Sequence, residues 1–161
     1  MKAKKKKILR TIAILLVIGI VIGGSIILYL FNMPHRNVQS TTVDFTLTST
    51  EIVNEYLTDK DAANQKYLAA DGESKILEIT GIVSNISEDF SGQKVILLKT
   101  LNDIAGVNAT LTNESATLST DLQIGETVSI KGVIRAGAAY DEDLEMYENV
   151  ILEKGNIISR K

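Results

Sequence analysis

The apolar positions of this 161-residue chain follow three different periods. The first stretch has no polar period. Residues 11–31, TIAILLVIGIVIGGSIILYLF, carry no charge and are mostly Ile, Leu and Val. At about 1.5 Å per residue, a helix of this length spans roughly 30 Å, the thickness of a bilayer's hydrocarbon core. Lipid offers no partner to peptide groups and so forces such a segment to be helical. The second period is helical. Ile52, Val53, Tyr56, Ala63, Tyr67 and Leu68 form one stripe that predicts an amphipathic helix packed on its own domain. Ser49 or Thr50 is placed to cap its start, Glu51 suits the first turn, and Asp71-Gly72 should end it. Ahead of it, residues 41–47 alternate. Val43, Phe45 and Leu47 fall on one side and Thr42, Asp44 and Thr46 on the other, an extended segment suited to the edge of a domain.

The third period is two. From Lys75, Leu77, Ile79 and Val83 alternate with Glu78 and Thr80, and Gly81 inside this strand predicts a bulge or bend. Residues 95–98 make a short apolar strand after the turn Asp89-Phe90-Ser91-Gly92, and Val107, Ala109 and Leu111 mark a third. Residues 113–122 are polar, with room for a short helix. Residues 125–135 form a fourth strand with Val128 and Ile130 inward and Gly132 bending it. Residues 144–152 supply a fifth, led by Leu144, Met146, Val150 and Leu152. Ile79-Thr80-Gly81-Ile82-Val83 is echoed by Ile130-Lys131-Gly132-Val133-Ile134. Five short strands, two bent at glycine, with a polar insert between the third and fourth, predict a small barrel, because closure removes exposed edges. The expected fold is mainly β: a five-stranded OB-fold-like barrel preceded by an α-helix, with one N-terminal transmembrane helix.

Charge sets the expected topology. Lys2, Lys4, Lys5, Lys6, Lys7 and Arg10 crowd the N-terminal side of the uncharged run, while only His35 and Arg36 lie close on the other. The positive-inside rule then keeps residues 1–10 cytoplasmic and places the remainder outside, with Tyr29 and Phe31 at the exit interface. A cleaved signal peptide would have an apolar region of about 7–15 residues and small residues at the cut site. This run is longer and ends in Leu28-Tyr29-Leu30-Phe31, which favours an uncleaved signal anchor. The expected organisation is a basic tail at 1–10, an anchor at 11–31, a juxtamembrane linker and extended segment at 32–48, and a helix plus barrel at 49–161. Gly19 and Gly23 have the spacing that lets two membrane helices approach, and so would allow a homodimer.

Composition narrows the chemistry. Of the chain's 17 Lys and Arg, six lie in residues 1–10, leaving 11 against 20 Asp and Glu in residues 11–161, a net charge of −9. That opposes binding driven by phosphate neutralisation, so nucleic acid is not the expected partner. The absence of cysteine excludes a disulfide framework, a thiolate metal site, a Cys nucleophile and a lipoprotein anchor. A single histidine, His35, excludes a His-based triad or multi-His metal site in the barrel. No G-x-S-x-G, P-loop or H-E-x-x-H motif occurs, so neither catalysis nor a cofactor is expected. Asp141, Asp143 and Glu145 alternate and could offer oxygens to Ca2+, but without the glycine-centred loop of an EF-hand.

Four segments together resemble the bacterial membrane-anchored OB-fold family called tRNA-anticodon-binding-like. Asn32-Met33-Pro34-His35-Arg36-Asn37-Val38 is similar to its juxtamembrane N-x-P-H-R-[DN]-V, and Ala63-Asn64-Gln65-Lys66-Tyr67 to its A-N-x-x-Y helix end. Residues 77–83 resemble its first strand, and residues 124–132, IGETVSIKG, its G-[DE]-x-V-x-[IV]-x-G strand. The resemblance covers roughly residues 32–152 and implies an OB-fold on the outer side of a bacterial inner membrane, with no catalytic residue to carry over. It departs at Asp141-Glu142-Asp143, acidic where an oligonucleotide-binding barrel carries positive charge. OB-folds bind on the face of their second and third strands, flanked by the loops after the first and fourth. Mapped here, the candidate ligand face is Phe90, Lys94, Lys99, Arg135 and Tyr140. The expected function is non-catalytic binding of a protein partner, an envelope glycan or a small envelope ligand. The alternatives are an extracytoplasmic single-strand nucleic-acid or oligosaccharide binder and a Ca2+-stabilised structural module.

Overall fold

The computed structural model describes residues 2–31, 37–70 and 73–161, with side chains of the first helix described over 15–29. It forms two compact units, Met1–Arg36 and Asn37–Lys161. In the first, one helix, α1 (Lys2–Phe31), carries the uncharged run. Its large apolar side chains are exposed wherever described. Among the described residues no helix is long and apolar enough to cross a membrane; the run read from the sequence, 11–31, extends past the described side chains at both ends. Most of the linker at 32–39 and the helix stop at Asp71-Gly72 lie outside the described residues.

The second unit opens with residues 37–41, which pack down on the barrel. Asn37 Oδ1 accepts from the N–H groups of Gln39 and Ser40, closing a turn, and Val38 is buried with Ile76 and Val133. The Lys131 ammonium donates to the Gln39 and Thr41 carbonyls. A short strand, β1 (Phe45–Thr48), then runs straight into α2 (Ser49–Thr58). The cap is Thr48, one residue earlier than expected. Its side chain accepts from Glu51 N at 3.2 Å, and Glu51 Oε2 accepts from Thr48 N at 2.7 Å. This reciprocal pairing satisfies two donors that a cap at Ser49 or Thr50 would leave open.

The single helix expected from Ser49 or Thr50 toward Asp71-Gly72 is two helices, α2 and α3 (Lys60–Tyr67). Asp59 breaks them: its backbone is extended (φ −150°, ψ 92°), its N–H donates to Glu55 O, and its side chain accepts from Ala62 N at 3.0 Å. One residue thus ends one helix and caps the next. The expected stripe survives the break, with Ile52, Val53, Tyr56, Ala63 and Tyr67 all buried in the main core.

The barrel is built from β2 (Ile76–Glu88), β3 (Lys94–Leu98), β4 (Val107–Leu111), β5 (Thr127–Ala136) and β8 (Val150–Arg160), with the small hairpin β6 (Ala139–Asp141) and β7 (Met146–Glu148) between the last two. The barrel order is β2-β3-β4-β8-β5, and β5 returns to pair with β2, closing it. The β4–β8 pair is parallel and the other barrel pairs are antiparallel. The polar insert holds α4 (Asn113–Leu118), capped by Thr112. The chain is mainly β, a closed five-stranded barrel preceded by helix, as its periodicity predicts.

The long strand β2 explains how β1 fits. Residues 76–82 pair with β5 on one edge. On the other edge β1 lies parallel to residues 77–80, and β3 takes over from Val83 to Glu88. At this fork Gly81 faces the start of α2: a Cβ there would fall 2.7 Å from Ser49 Oγ and 2.9 Å from Leu98 Cβ. The glycine therefore permits close approach, and the register shift lies further on, between Val83 and Asn85. In β5 the expected irregularity is at Gly132, where the pairing with β8 shifts between Lys131 and Val133.

The fifth strand differs from the sequence expectation. Val150 and Leu152 are buried in β8 as expected, but Leu144 and Met146 are exposed and belong to the β6–β7 hairpin region. The strand runs on to Arg160, pairing with both β4 and β5.

Candidate functional site

The outer face of β3 and β4 follows from strand alternation. Ile96, Leu98, Val107, Ala109 and Leu111 point into the core. Val95 and Leu97 face outward opposite Thr110 and Asn108. These four side chains are small and uncharged, and none is a ring on which a base could stack.

The predicted ligand residues are spread around this face. Phe90 is fully exposed at the tip of the β2–β3 turn, where Asp89 Oδ1 accepts from the N–H groups of Ser91 and Gln93. Lys94 donates to the Ala116 and Ser119 carbonyls at 3.4 and 3.3 Å, a cation at the C-terminal end of α4 where the helix dipole favours it. Lys99, at the other end of β3, donates to Ile104 O at 3.1 Å. Arg135 is paired with Glu153, Nε to Oε2 at 2.8 Å. Tyr140 lies on β6 against Tyr147, with ring centroids 4.9 Å apart. The fold brings Lys99 and Tyr140 to one end of the barrel, where Ile104 lies between them in the chain of contacts. It does not gather the five on one face.

That end carries a groove. The β3–β4 loop is fastened to α2 by Asp103, whose carboxylate accepts from Thr100 N at 2.8 Å, Thr100 Oγ1 at 2.7 Å and Thr50 Oγ1 at 3.1 Å. Burial works to raise the Asp103 pKa, but these hydrogen bonds and nearby Lys99 outweigh it and hold the carboxyl below its usual range. The fastened loop presents Leu101 and Ile104 to solvent. Across from it stand Tyr140 and Tyr147 of the hairpin, with Leu144 and Met146 also exposed. A groove of about 510 Å3 runs between the hairpin and the α2–α3 junction, within the roughly 300–1,000 Å3 typical of ligand pockets.

The hairpin's acidic residues form a turn. Asp141 Oδ1 accepts from Asp143 N and Leu144 N at 2.8 and 3.0 Å, and Glu145 adopts positive φ. Among the described residues no group of three or more His, Cys, Asp or Glu side chains is arranged to hold a metal. Asp141, Asp143 and Glu145 are therefore not drawn together as a cation site.

The family model described as tRNA_anti-like matches residues 1–143. The chain belongs to that family. The tRNA_anti-like match takes in α1, the three short helices and the strands through β6, with β7 and β8 beyond it. No curated protein matches the chain. In this tRNA_anti-like chain, an OB-fold-like binding domain, Tyr140 of the predicted ligand face lies at the groove, whose lining also includes Tyr56, Lys60, Ile104 and Tyr147, none of them among the predicted ligand residues. Tyr147 carried a readable signal: it sits seven residues after Tyr140 with acidic residues between, as in two arms of a hairpin. Tyr56 was legible only as a member of the apolar stripe.

Proposed function

We propose that this tRNA_anti-like chain is a single-pass, membrane-anchored, non-catalytic binding module whose barrel lies outside the cytoplasm and engages a protein partner. The observation that carries this reading is the barrel end itself. Exposed Leu101, Ile104, Tyr140, Leu144, Met146 and Tyr147 share that region with a run of carboxylates. Apolar and aromatic side chains in an acidic frame suit protein contact, since exposed apolar groupings mark interaction surfaces. The uncharged β3–β4 face and the −9 charge of residues 11–161 ill suit a phosphate backbone. The anchor reading is supported by the uncharged 11–31 run and the six basic residues before it. A Cβ at Gly19 or Gly23 would meet nothing within 4 Å in the single chain, which leaves room for a second anchor to pack there.

Two measurements test the reading. Alkaline phosphatase fused after Lys161 should be active and a fluorescent protein fused there dark; the reverse pattern overturns the topology. Crosslinking the full chain in its own membrane should enrich one envelope protein, and this enrichment should vanish when residues 37–161 are deleted. Recovery of nucleic acid instead, with binding that collapses steeply with salt, would overturn the protein-partner reading.

A further inference from the structure

Tyr56 has a hydroxyl with no hydrogen-bond partner among the described residues, although the oxygen is sealed from solvent. The residue is 2 % exposed. Its pKa is pushed up to about 12 by burial first, then by nearby Tyr67 and Glu55. The contrast with Tyr67 is direct. The two rings lie 6.0 Å apart in one layer, but the Tyr67 hydroxyl donates to Glu55 Oε2 at 2.8 Å, and the same carboxylate takes the Lys66 ammonium. The backbone is shaped around Tyr56 as well. A Cβ at Gly137 would fall 1.8 Å from Tyr56 Cε1 and 2.4 Å from Cζ, so only glycine lets the chain cross the ring just before β6. A phenylalanine ring would fill the same space without a polar atom to desolvate. A buried polar atom left unpaired destabilises the fold, and it calls for a partner not yet in place.

Tyr56 also lines the groove between α2 and the hairpin, together with Leu57, Lys60, Ile104 and Tyr147. The walls are thus mostly apolar and aromatic. The surroundings are acidic: residues 136–153 contain six Asp and Glu and no Lys or Arg. Among the described residues Lys60 lines the groove and Lys99 reaches the Ile104 carbonyl at its edge, two cations against the five carboxylates of residues 141–148.

We propose that this groove docks a basic segment of the partner protein. An apolar or aromatic side chain of the segment sits between α2 and the hairpin, and its docking displaces the groups that seal Tyr56, so that one of its main-chain carbonyls accepts from the uncovered hydroxyl. Its lysines or arginines face the carboxylates of the hairpin. The inference rests on the protein-binding reading above and supplies the site and the partner's chemistry. Its hairpin wall is the loop after the fourth barrel strand, which flanks the usual OB-fold binding face, while α2 supplies a wall outside that face.

The test uses the full chain in detergent micelles and three fluorescein-labelled probes: the peptide KFKLKF-amide, its acidic counterpart EFELEF-amide, and an oligothymidine. Fluorescence anisotropy should show binding of the basic peptide alone. Ala139→Trp, which fills the groove, should abolish it. Tyr56→Phe should weaken it roughly tenfold by removing the one donor. The same Tyr56→Phe variant should melt higher, by roughly 2–5 °C, because it relieves an unpaired buried oxygen. Weaker binding in a more stable protein is the diagnostic outcome, and a structural role for the hydroxyl would move both quantities downward. Basic-peptide binding that survives both substitutions overturns the groove while leaving the partner-binding reading intact. Failure of all three probes alongside a specific crosslinked partner does the same. Preferential binding of the oligothymidine overturns both.

Discussion

Asp103 shows how one carboxylate can order a whole loop. It gathers three donors from Thr100 and Thr50 and so ties the β3–β4 loop to the first turn of α2. Because these bonds favour the charged form, its folded pKa lies below the ordinary 3.8. A carboxylate so depressed contributes its full stabilisation above that ordinary value and loses it as the pH falls through the lower folded value. Asp103→Asn should therefore cost about 1–2 kcal/mol at pH 7, where the bonds to the charged oxygens are lost. The gap from the parent protein should narrow as the pH is lowered below 3.8. Urea denaturation at pH 7 and in the acid range measures both. A gap that stays constant with pH would mean that the carboxylate's charge plays no part.

Among the elements, the α2–α3 junction depends on one side chain serving two helix ends. Asp59→Ala removes the N-cap of α3 and should destabilise the barrel unit by about 1–2 kcal/mol. Circular dichroism should show a reduced helical contribution, and Asp59→Asn, which keeps a capping oxygen, should restore most of the loss. The stripe of Ile52, Val53, Tyr56, Ala63 and Tyr67 was readable in the sequence because a short break leaves its spacing in register. The break itself was not, because Asp59 lies on no apolar face. Three barrel strands are readable from their alternation and the one at 95–98 from its continuous apolar run after a turn. The fifth was read too early: Leu144 and Met146 imitate a buried strand, yet they sit on a hairpin turned to solvent. Beyond Leu152, Lys154 at φ 54° and Gly155 interrupt the alternation, which hides the continuation to Arg160. The candidate site was less legible still. Lys94 and Arg135 read as free cations, but their partners, the α4 carbonyls and Glu153, are brought to them only by the fold. The idle hydroxyl of Tyr56 depends on Gly137, 81 positions away in the chain.

For the whole molecule, the main core is contained within Asn37–Lys161. Residues 37–161 expressed alone should be soluble and monomeric, with a mainly β circular dichroism spectrum and a cooperative urea transition. A mainly helical spectrum or a broad, non-cooperative transition would show that the barrel needs the preceding segment to fold. Within this unit β8 pairs with both β4 and β5, so it is the strand that closes the ring, and it comes last of the five in chain order. The order of synthesis then matters. At roughly 5–20 residues per second, the stretch from the end of β5 to the end of β8 takes on the order of a few seconds to make. Until β8 is free to pair, β4 and β5 each keep one β edge unpaired, and a chain clipped before Val150 would be left adhesive. The moment of greatest vulnerability in this protein's life falls just before its ring shuts.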